Sequence, residues 1–301
     1  MCRTWVTTGQ LSAWGYTLNR DNNVEIWRAS GLELTQQQWQ TLAAVDAAPR
    51  EDRTRIGLTF TRLMNEGDSD RLLRASMSEY VGPANRLNMP LSEERIAMVS
   101  VAYNRGPGGL LGNPRSNVPE HPLMDAIRDG NRAEAWFQLR YNCWGSDPIG
   151  NEHPHAESNE AGLRKRRFAE AQVFGLYDDP NNVTPEQARD VYRTFQLHRD
   201  EVSRVEQTFG VTVEGDAASR NRIAQANRDY VALVGEYGNV QTIADALAPA
   251  RNAMLQDMRQ QHPDLADRLT EANFNAGQIH LDPGRGLQDS AEVDQAHPGN
   301  T

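Results

Sequence analysis

Apolar residues recur along this chain at the three-and-four spacing of helices, interrupted by short polar or glycine-containing stretches. Thr35 and Gln38 form a capping box ahead of Trp39, Leu42 and Ala43, which predicts a helix starting there. A second helix is expected over Arg53 to Asn65. A third is expected from near Asp68, carrying Leu72, Leu73 and Met77 and weakening at Gly82-Pro83. Ser92 caps a fourth, in which Ile96, Val99, Val101 and Tyr103 make the surface apolar almost all round. That is the pattern of a rod buried at the centre of a domain. The rod stops at the turn Gly106-Pro107-Gly108-Gly109. Asn131 and Glu134 form another N-terminal pair before Ala135, Trp136 and Leu139. Residues 144–160 form a polar loop, and a helix follows over about Asn159 to Tyr177. Only Thr7 to Leu18, rich in Thr, Gly and aromatic residues, has extended character. It predicts a hairpin or an irregular extended segment.

Asp178-Asp179-Pro180-Asn181-Asn182 is the clearest boundary signal. Beyond it Thr184, Pro185 and Gln187 open a new helix, and helical patterns continue to about Leu269. Three regions are therefore expected: a domain over 1–180, a helical extension over 181–280, and a disordered tail over 281–301, which holds few apolar residues. Charge differs between them. Residues 1–178 carry 20 basic and 22 acidic side chains, a net of −2, whereas residues 179–301 carry 11 and 19, a net of −8. Such a balance disfavours nucleic acid as a partner, because that affinity rests on cations meeting phosphates.

No apolar run is long enough to span a bilayer. Met1-Cys2-Arg3-Thr4-Trp5 holds no apolar signal-peptide core. The expectation is a protein made in the cytoplasm. Cys2 and Cys143 are too few and too isolated for a disulfide framework or a zinc site. Glu152-His153-Pro154-His155-Ala156-Glu157 has metal-ligand residue types but lacks the helical His spacing of a zinc protease, so no metal is expected. No cofactor motif is present either: the glycine-rich turn at 106–109 has no lysine and does not match a phosphate loop.

Two stretches carry a resemblance. One runs from Pro90 to Gly106, PLSEERIAMVSVAYNRG, and the other from Gly162 to Phe174, GLRKRRFAEAQVF. Together they resemble phage-type lysozymes and the related pesticin-like toxins. In those families a central buried helix ends in Asn-x-Gly or similar beside a sugar cleft, and the domain closes on a Gly-Leu-x-x-Arg-Arg-x-x-Glu helix. Leu123, Ala126-Ile127, Gly130-Asn131 and Ala133-Glu134-Ala135-Trp136 follow in the family's order, so the resemblance covers about residues 7–178. It implies a mainly α fold, namely a lysozyme-like α+β domain with a small N-terminal hairpin, followed by the helical extension. It also implies hydrolysis of peptidoglycan glycan between N-acetylmuramic acid and N-acetylglucosamine, without a cofactor.

Residue by residue, Asn104 is expected to contact sugar, since an amide both donates and accepts. Arg166 or Arg167 is expected to organise the site, although a surface ion pair between Arg166 and Glu170 at i, i+4 explains that segment equally. In the hairpin, Thr8 to Thr17 aligns its glycines and Tyr16 with the pesticin-like pattern. Leu11 stands where the family has its catalytic Thr, and Thr17 where it has Asp. Trp14, in the hairpin, is the tryptophan best placed to stack on a sugar. Glycosidases use a carboxylic acid and a second group that handles water or the oxocarbenium ion. Phage-type lysozymes carry the acid on a helix before the hairpin, and no Glu precedes the hairpin here.

Three readings stay open: an acid encoded upstream of Met1, a site rebuilt from Asp21 and Glu25, or a domain that binds glycan without cutting it. The catalytic candidates are thus Glu25, Asp21 and Thr17, and the sugar-contacting candidates Asn104, Trp14, Tyr16, Arg166 and Arg167. The expected partners are peptidoglycan glycan strands and, for the acidic extension, a delivery or immunity protein. The expected place of action is the periplasm or wall of a target bacterium.

Overall fold

A computed structural model describes residues 5–8, 16–113, 117–143, 157–209, 241–270, 279–282 and 286–289, with backbone alone at 5–8, 157–162, 207–209, 279–282 and 286–289. The chain is mainly helical. It divides into two compact units, Met1–Gly82 and Pro83–Thr301.

In the first unit, strand β1 (Trp5–Thr8) pairs antiparallel with β2 (Thr61–Met64), in the register Trp5 opposite Met64 and Thr8 opposite Thr61. Four helices accompany them: α1 (Asn23–Ala29), α2 (Gln36–Ala47), α3 (Arg50–Gly57) and α4 (Glu66–Ser76). The extended start therefore finds its partner more than fifty residues downstream. Residues 9–15 lie outside the described residues. The helix expected over Arg53–Asn65 is corrected. It ends at Gly57, and the threonine-flanked Thr59–Met64 run becomes β2, where β-branched and apolar side chains suit a strand. The core consists of Tyr16, Leu18, Ile26, Trp27, Leu32, Leu42, Phe60, Met64 and Leu72, with the Trp27 and Phe60 rings 5.1 Å apart.

The second unit opens with the short α5 (Gly82–Arg86), which begins at the unit boundary. Then come α6 (Glu93–Arg105), α7 (Gly108–Leu111), α8 (Pro122–Arg128) and α9 (Arg132–Phe137). A π-helical turn over Gln138–Asn142 continues α9. After it come α10 (Glu157–Phe174), α11 (Pro185–Leu197), α12 (Arg199–Phe209) and α13 (Ile243–Gln261). Strands β3 (Ile279–Asp282) and β4 (Gly286–Asp289) pair antiparallel; β3 starts at the end of the expected helical extension, and the rest of the pair falls in the 281–301 stretch expected to be without structure. The alternation of Ile279, Leu281 and Leu287 is a strand pattern that a low apolar count conceals.

Helices α6 and α10 run antiparallel in close contact and form the centre of this unit. Helix α6 buries Ala97, Met98, Val101 and Ala102 against its neighbours. It is not buried all round, however: Ile96 is 64% exposed. The expected rod is therefore apolar without being enclosed along its whole surface. Gly106, at φ +86°, ends α6 in a conformation that costs a side-chain-bearing residue strain.

The turn at 178–182 lies inside this unit. The helices beyond it pack onto α9, with the Trp136 and Phe195 rings 5.9 Å apart and His198 stacked 3.7 Å from Phe137. The Tyr177 hydroxyl donates to the Ala246 carbonyl at 2.9 Å.

Candidate functional site

The family-like residues of the second unit converge on one carboxylate. Antiparallel packing of α6 and α10 brings Ser100 and Asn104 opposite Glu170 and Arg167. Ser100 Oγ donates to Glu170 Oε1 at 2.5 Å, Arg166 Nε reaches the same oxygen at 3.0 Å, and Arg167 Nη2 reaches it at 3.2 Å. Arg166 Nη2 also donates to Ser100 Oγ at 3.1 Å. Glu170 is buried and Arg167 is fully buried, with Nε 2.8 Å from Glu170 Oε2. One enclosed acid therefore gathers two guanidinium groups and a hydroxyl. A surface ion pair is the wrong description of this segment: only Arg166 is partly accessible. Glu170 and Ser100 were legible in the sequence only as one partner of Arg166 and as a small helical residue. Their meeting depends on helix packing seventy residues apart.

Arg167 does two further things. Its Nη2 donates to Asn104 Oδ1 at 2.9 Å, and its Nη1 donates to the Cys143 carbonyl at 3.3 Å. The π-turn leaves its last carbonyls without helical donors. Three arginines supply them: Arg164 to Tyr141, Arg105 to Asn142 at 3.4 Å, and Arg167 to Cys143. Arg167 is thereby held at both ends of its fork, and Asn104 is held in turn at the exposed end of α6.

Beneath this end Cys143 is buried, with Sγ 3.9 Å from His121 Nε2. Burial pushes the Cys143 thiol up to about 11. Burial first, and then the Arg105 charge, push His121 down to about 4. His121 Nδ1 accepts from the Leu123 N–H at the start of α8, a capping role that suits the neutral ring.

The carboxylate candidates belong to the first unit. Asp21, Val24, Glu25, Arg28 and Asp46 line an open depression of about 530 Å³. Glu25 stands exposed in the first turn of α1, and Asp21, two residues ahead of the helix, is exposed and 3.4 Å from Arg53. They share the depression but not a helix face, because α1 begins only at Asn23. The third acid, Asp46, is committed: its two oxygens accept from the Asn23 and Val24 N–H groups at 2.8 Å and so cap α1.

Thr17 is partly buried, and its carbonyl accepts from Arg20 Nε at 3.1 Å. Tyr16 is corrected from groove to core. It is 2% exposed, donates to Asn23 Oδ1 at 2.9 Å and lies under the Arg20 guanidinium, so it offers no face to a sugar. Trp14 and the His153/His155 cluster lie outside the described residues.

A further cleft of about 550 Å³ in the second unit lies between the start of α9 and α11. Asn131, Glu134, Asp190 and Thr194 are among its lining residues, and it includes no side chain of the Pro90–Gly106 or Gly162–Phe174 stretches. No group of three or more potential metal ligands occurs among the described residues, and none of their helices is long and apolar enough to cross a membrane. No family model matches the chain, and no curated protein or solved structure matches it either.

Proposed function

We propose that this chain is a lysozyme-like protein directed at peptidoglycan glycan strands, acting as a glycoside hydrolase. The observation that carries the reading is the Asn104–Arg167–Glu170–Ser100 constellation. Two sequence stretches that resemble the family's sugar-binding helix end and its closing Arg-Arg helix meet through a buried guanidinium, and that guanidinium fixes an exposed amide. Burying an arginine and a glutamate is costly, and the desolvation is offset only where geometry and additional hydrogen bonds are good. Here it orients the one polar group of the set that stands at the surface.

In this reading Asn104 and Arg166 of the second unit contact sugar and Arg167 positions Asn104; Glu25 and Asp21, taken in the first unit by itself, are the carboxylates put forward for proton transfer and charge stabilisation. Its test is the release of reducing ends from purified sacculi by the full chain. Glu25→Gln or Asp21→Asn should lower the rate by about 10²–10⁴-fold, the contribution of a positioned general acid or base.

A second reading, glycan binding without turnover, is favoured by a particular observation. Glu25 is exposed and Asp21 is both exposed and paired with Arg53. Neither is enclosed, whereas the general acid of a lysozyme-type site sits in a hydrophobic pocket. Under this reading sacculi pull the protein down and no reducing ends appear. The acidic helices after residue 180 are proposed to serve a delivery or immunity partner, with action at the wall of a target bacterium.

A further inference from the structure

The cleft between the start of α9 and α11 holds two side chains whose placement the folded chain does not itself explain. Thr194 lines the cleft, is only 7% exposed, and its hydroxyl has no hydrogen-bond partner among the described residues. A helical threonine often donates to the carbonyl four residues back, as Thr41 does to Gln37 at 3.0 Å; Thr194 does not. A largely buried hydroxyl left without a partner is a net cost to the fold. Asp129 is the second. It caps the C-terminal end of α8, where the helix dipole disfavours a carboxylate, and no cation pairs with it among the described residues.

The rest of the lining indicates what would satisfy both. Its ionised side chains are four carboxylates and two guanidiniums, and both arginines are already engaged, Arg132 by Glu94 at 2.6 Å and Arg193 by Asp190 at 3.2 Å. Leu176 and Val191 give the cleft a buried apolar lining, and Leu197 adds an apolar side chain that is 76% exposed. The volume of about 550 Å³ suits a small molecule or one long side chain. A hydroxyl both donates and accepts, so Thr194 alone asks only for a polar group. The surplus of carboxylates selects a cation, and the aliphatic lining selects an alkyl body beside it.

We propose that this cleft binds an aliphatic amine. Its ammonium groups meet Thr194 Oγ1 and the Asp129 and Asp190 carboxylates, and its chain lies on Leu176, Val191 and Leu197. A metal ion fits less well, because no three potential ligands gather among the described residues. The site shares no residue with the glycan reading and does not depend on it. An alkylammonium arrives either as a free polyamine or as a lysine side chain of a partner, and the choice of probes separates the two.

Isothermal titration calorimetry of the full chain compares hexamethylenediamine with hexanediol, which keeps the chain length and removes the charge. The diol should bind about 10-fold more weakly or not at all, the loss expected when a hydrogen bond to a charged group is given up. Thr194→Val should weaken the diamine about 3- to 10-fold. Asp129→Asn should weaken it about 2- to 5-fold, as for an exposed ion pair. Without ligand both variants should melt no lower than wild type, since neither removes a partner. Spermidine and acetyl-lysyl-lysine amide then identify the source: tighter binding of spermidine assigns the cleft to a free polyamine, and tighter binding of the peptide assigns it to a partner's lysines.

Equal affinity for diamine and diol, or no binding of any amine, would overturn the inference, as would a diamine affinity unchanged in Thr194→Val. A Thr194→Val protein melting well below wild type would give the hydroxyl a structural task and overturn it too. None of these results touches the glycan reading, which sacculi test separately.

Discussion

The helices after residue 180 provide the counter-charge for a buried cation, and removing it has a calculable cost. Arg140 sits in the π-turn with no solvent exposure, its guanidinium 3.9 Å from the Phe168 ring centroid and 5.1 Å from that of Trp136. Its charge is met by Glu206 of α12, whose Oε1 accepts from Arg140 Nε at 3.1 Å, from Nη2 at 2.9 Å and from the Tyr141 hydroxyl at 2.8 Å. Glu206→Ala leaves a guanidinium and a phenol without that acceptor inside an aromatic cage. Breaking a buried pair by removing one partner costs about 3–5 kcal/mol. For a unit of this size that corresponds to a fall in melting temperature of roughly 6–20 °C.

Glu206→Gln keeps an oxygen for both donors and should lose only about 1–2 kcal/mol. Adding Arg140→Met to Glu206→Gln removes the stranded charge and should recover most of the loss, since a well-packed apolar side chain often replaces a buried ion pair without penalty. Thermal and urea unfolding followed by circular dichroism measure all three. A Glu206→Ala protein that melts with wild type would refute the reasoning. By the same argument, deleting residues 184–301 takes away Glu206 and uncovers the Trp136 face. The truncated second unit should then fail to fold rather than behave as a domain freed of an appendage. A truncated chain that unfolds cooperatively and still binds sacculi would mean the extension is a separable docking module.

Other predictions follow from the buried groups beside α6. His121 is held at about 4 against 6.5 when unfolded, so below pH 6.5 the unfolded chain binds the proton that the folded chain refuses. Its contribution is fully present above pH 6.5 and is lost as pH falls towards 4, by up to about 3 kcal/mol. In His121→Asn, which retains a capping acceptor, the stability profile should be flatter across that window; an unchanged slope would exclude His121 as its source. Cys143, pushed up to about 11 from 9.0, should react with an alkylating agent about 100-fold more slowly than a free thiol from thiolate fraction alone. Mass spectrometry of the labelled peptide checks this, and rapid labelling of Cys143 in native protein would contradict its enclosure.

Local chemistry made much of the helical fold legible. The capping boxes of Thr35 with Gln38 and Thr184 with Gln187 form as their spacing requires, and Ser92 and Asn131 accept from the third residue of their helices. Each is a short-range bargain between a side chain and its own backbone. What escaped the sequence is decided at long range. Strand β2 was hidden in an apparent helix because its partner β1 lies more than fifty residues away. Ile96 looked like core, yet it stands largely exposed on α6, because apolar periodicity does not say which helical positions a neighbour covers.

The site divides in the same way. Arg166 and Arg167 are adjacent in sequence, but a helix turns about 100° per residue, and only packing decides which of the two is sealed in. Tyr16 carries a family-like pattern and is nonetheless core, because its hydroxyl finds Asn23. Arg140 left a readable trace: a lone charge inside the run Trp136-Phe137-Gln138-Leu139-Arg140-Tyr141 demands a buried partner. Nothing in that run says the partner is Glu206.

The most direct test of the glycan-strand account is incubation of the full chain with purified sacculi, followed at once for sedimentation and for new reducing ends. The account predicts that protein moves into the pellet and that reducing ends accumulate, with both signals reduced by Asn104→Asp. Protein that stays in the supernatant and liberates no reducing sugar across the pH range in which it is folded would contradict it.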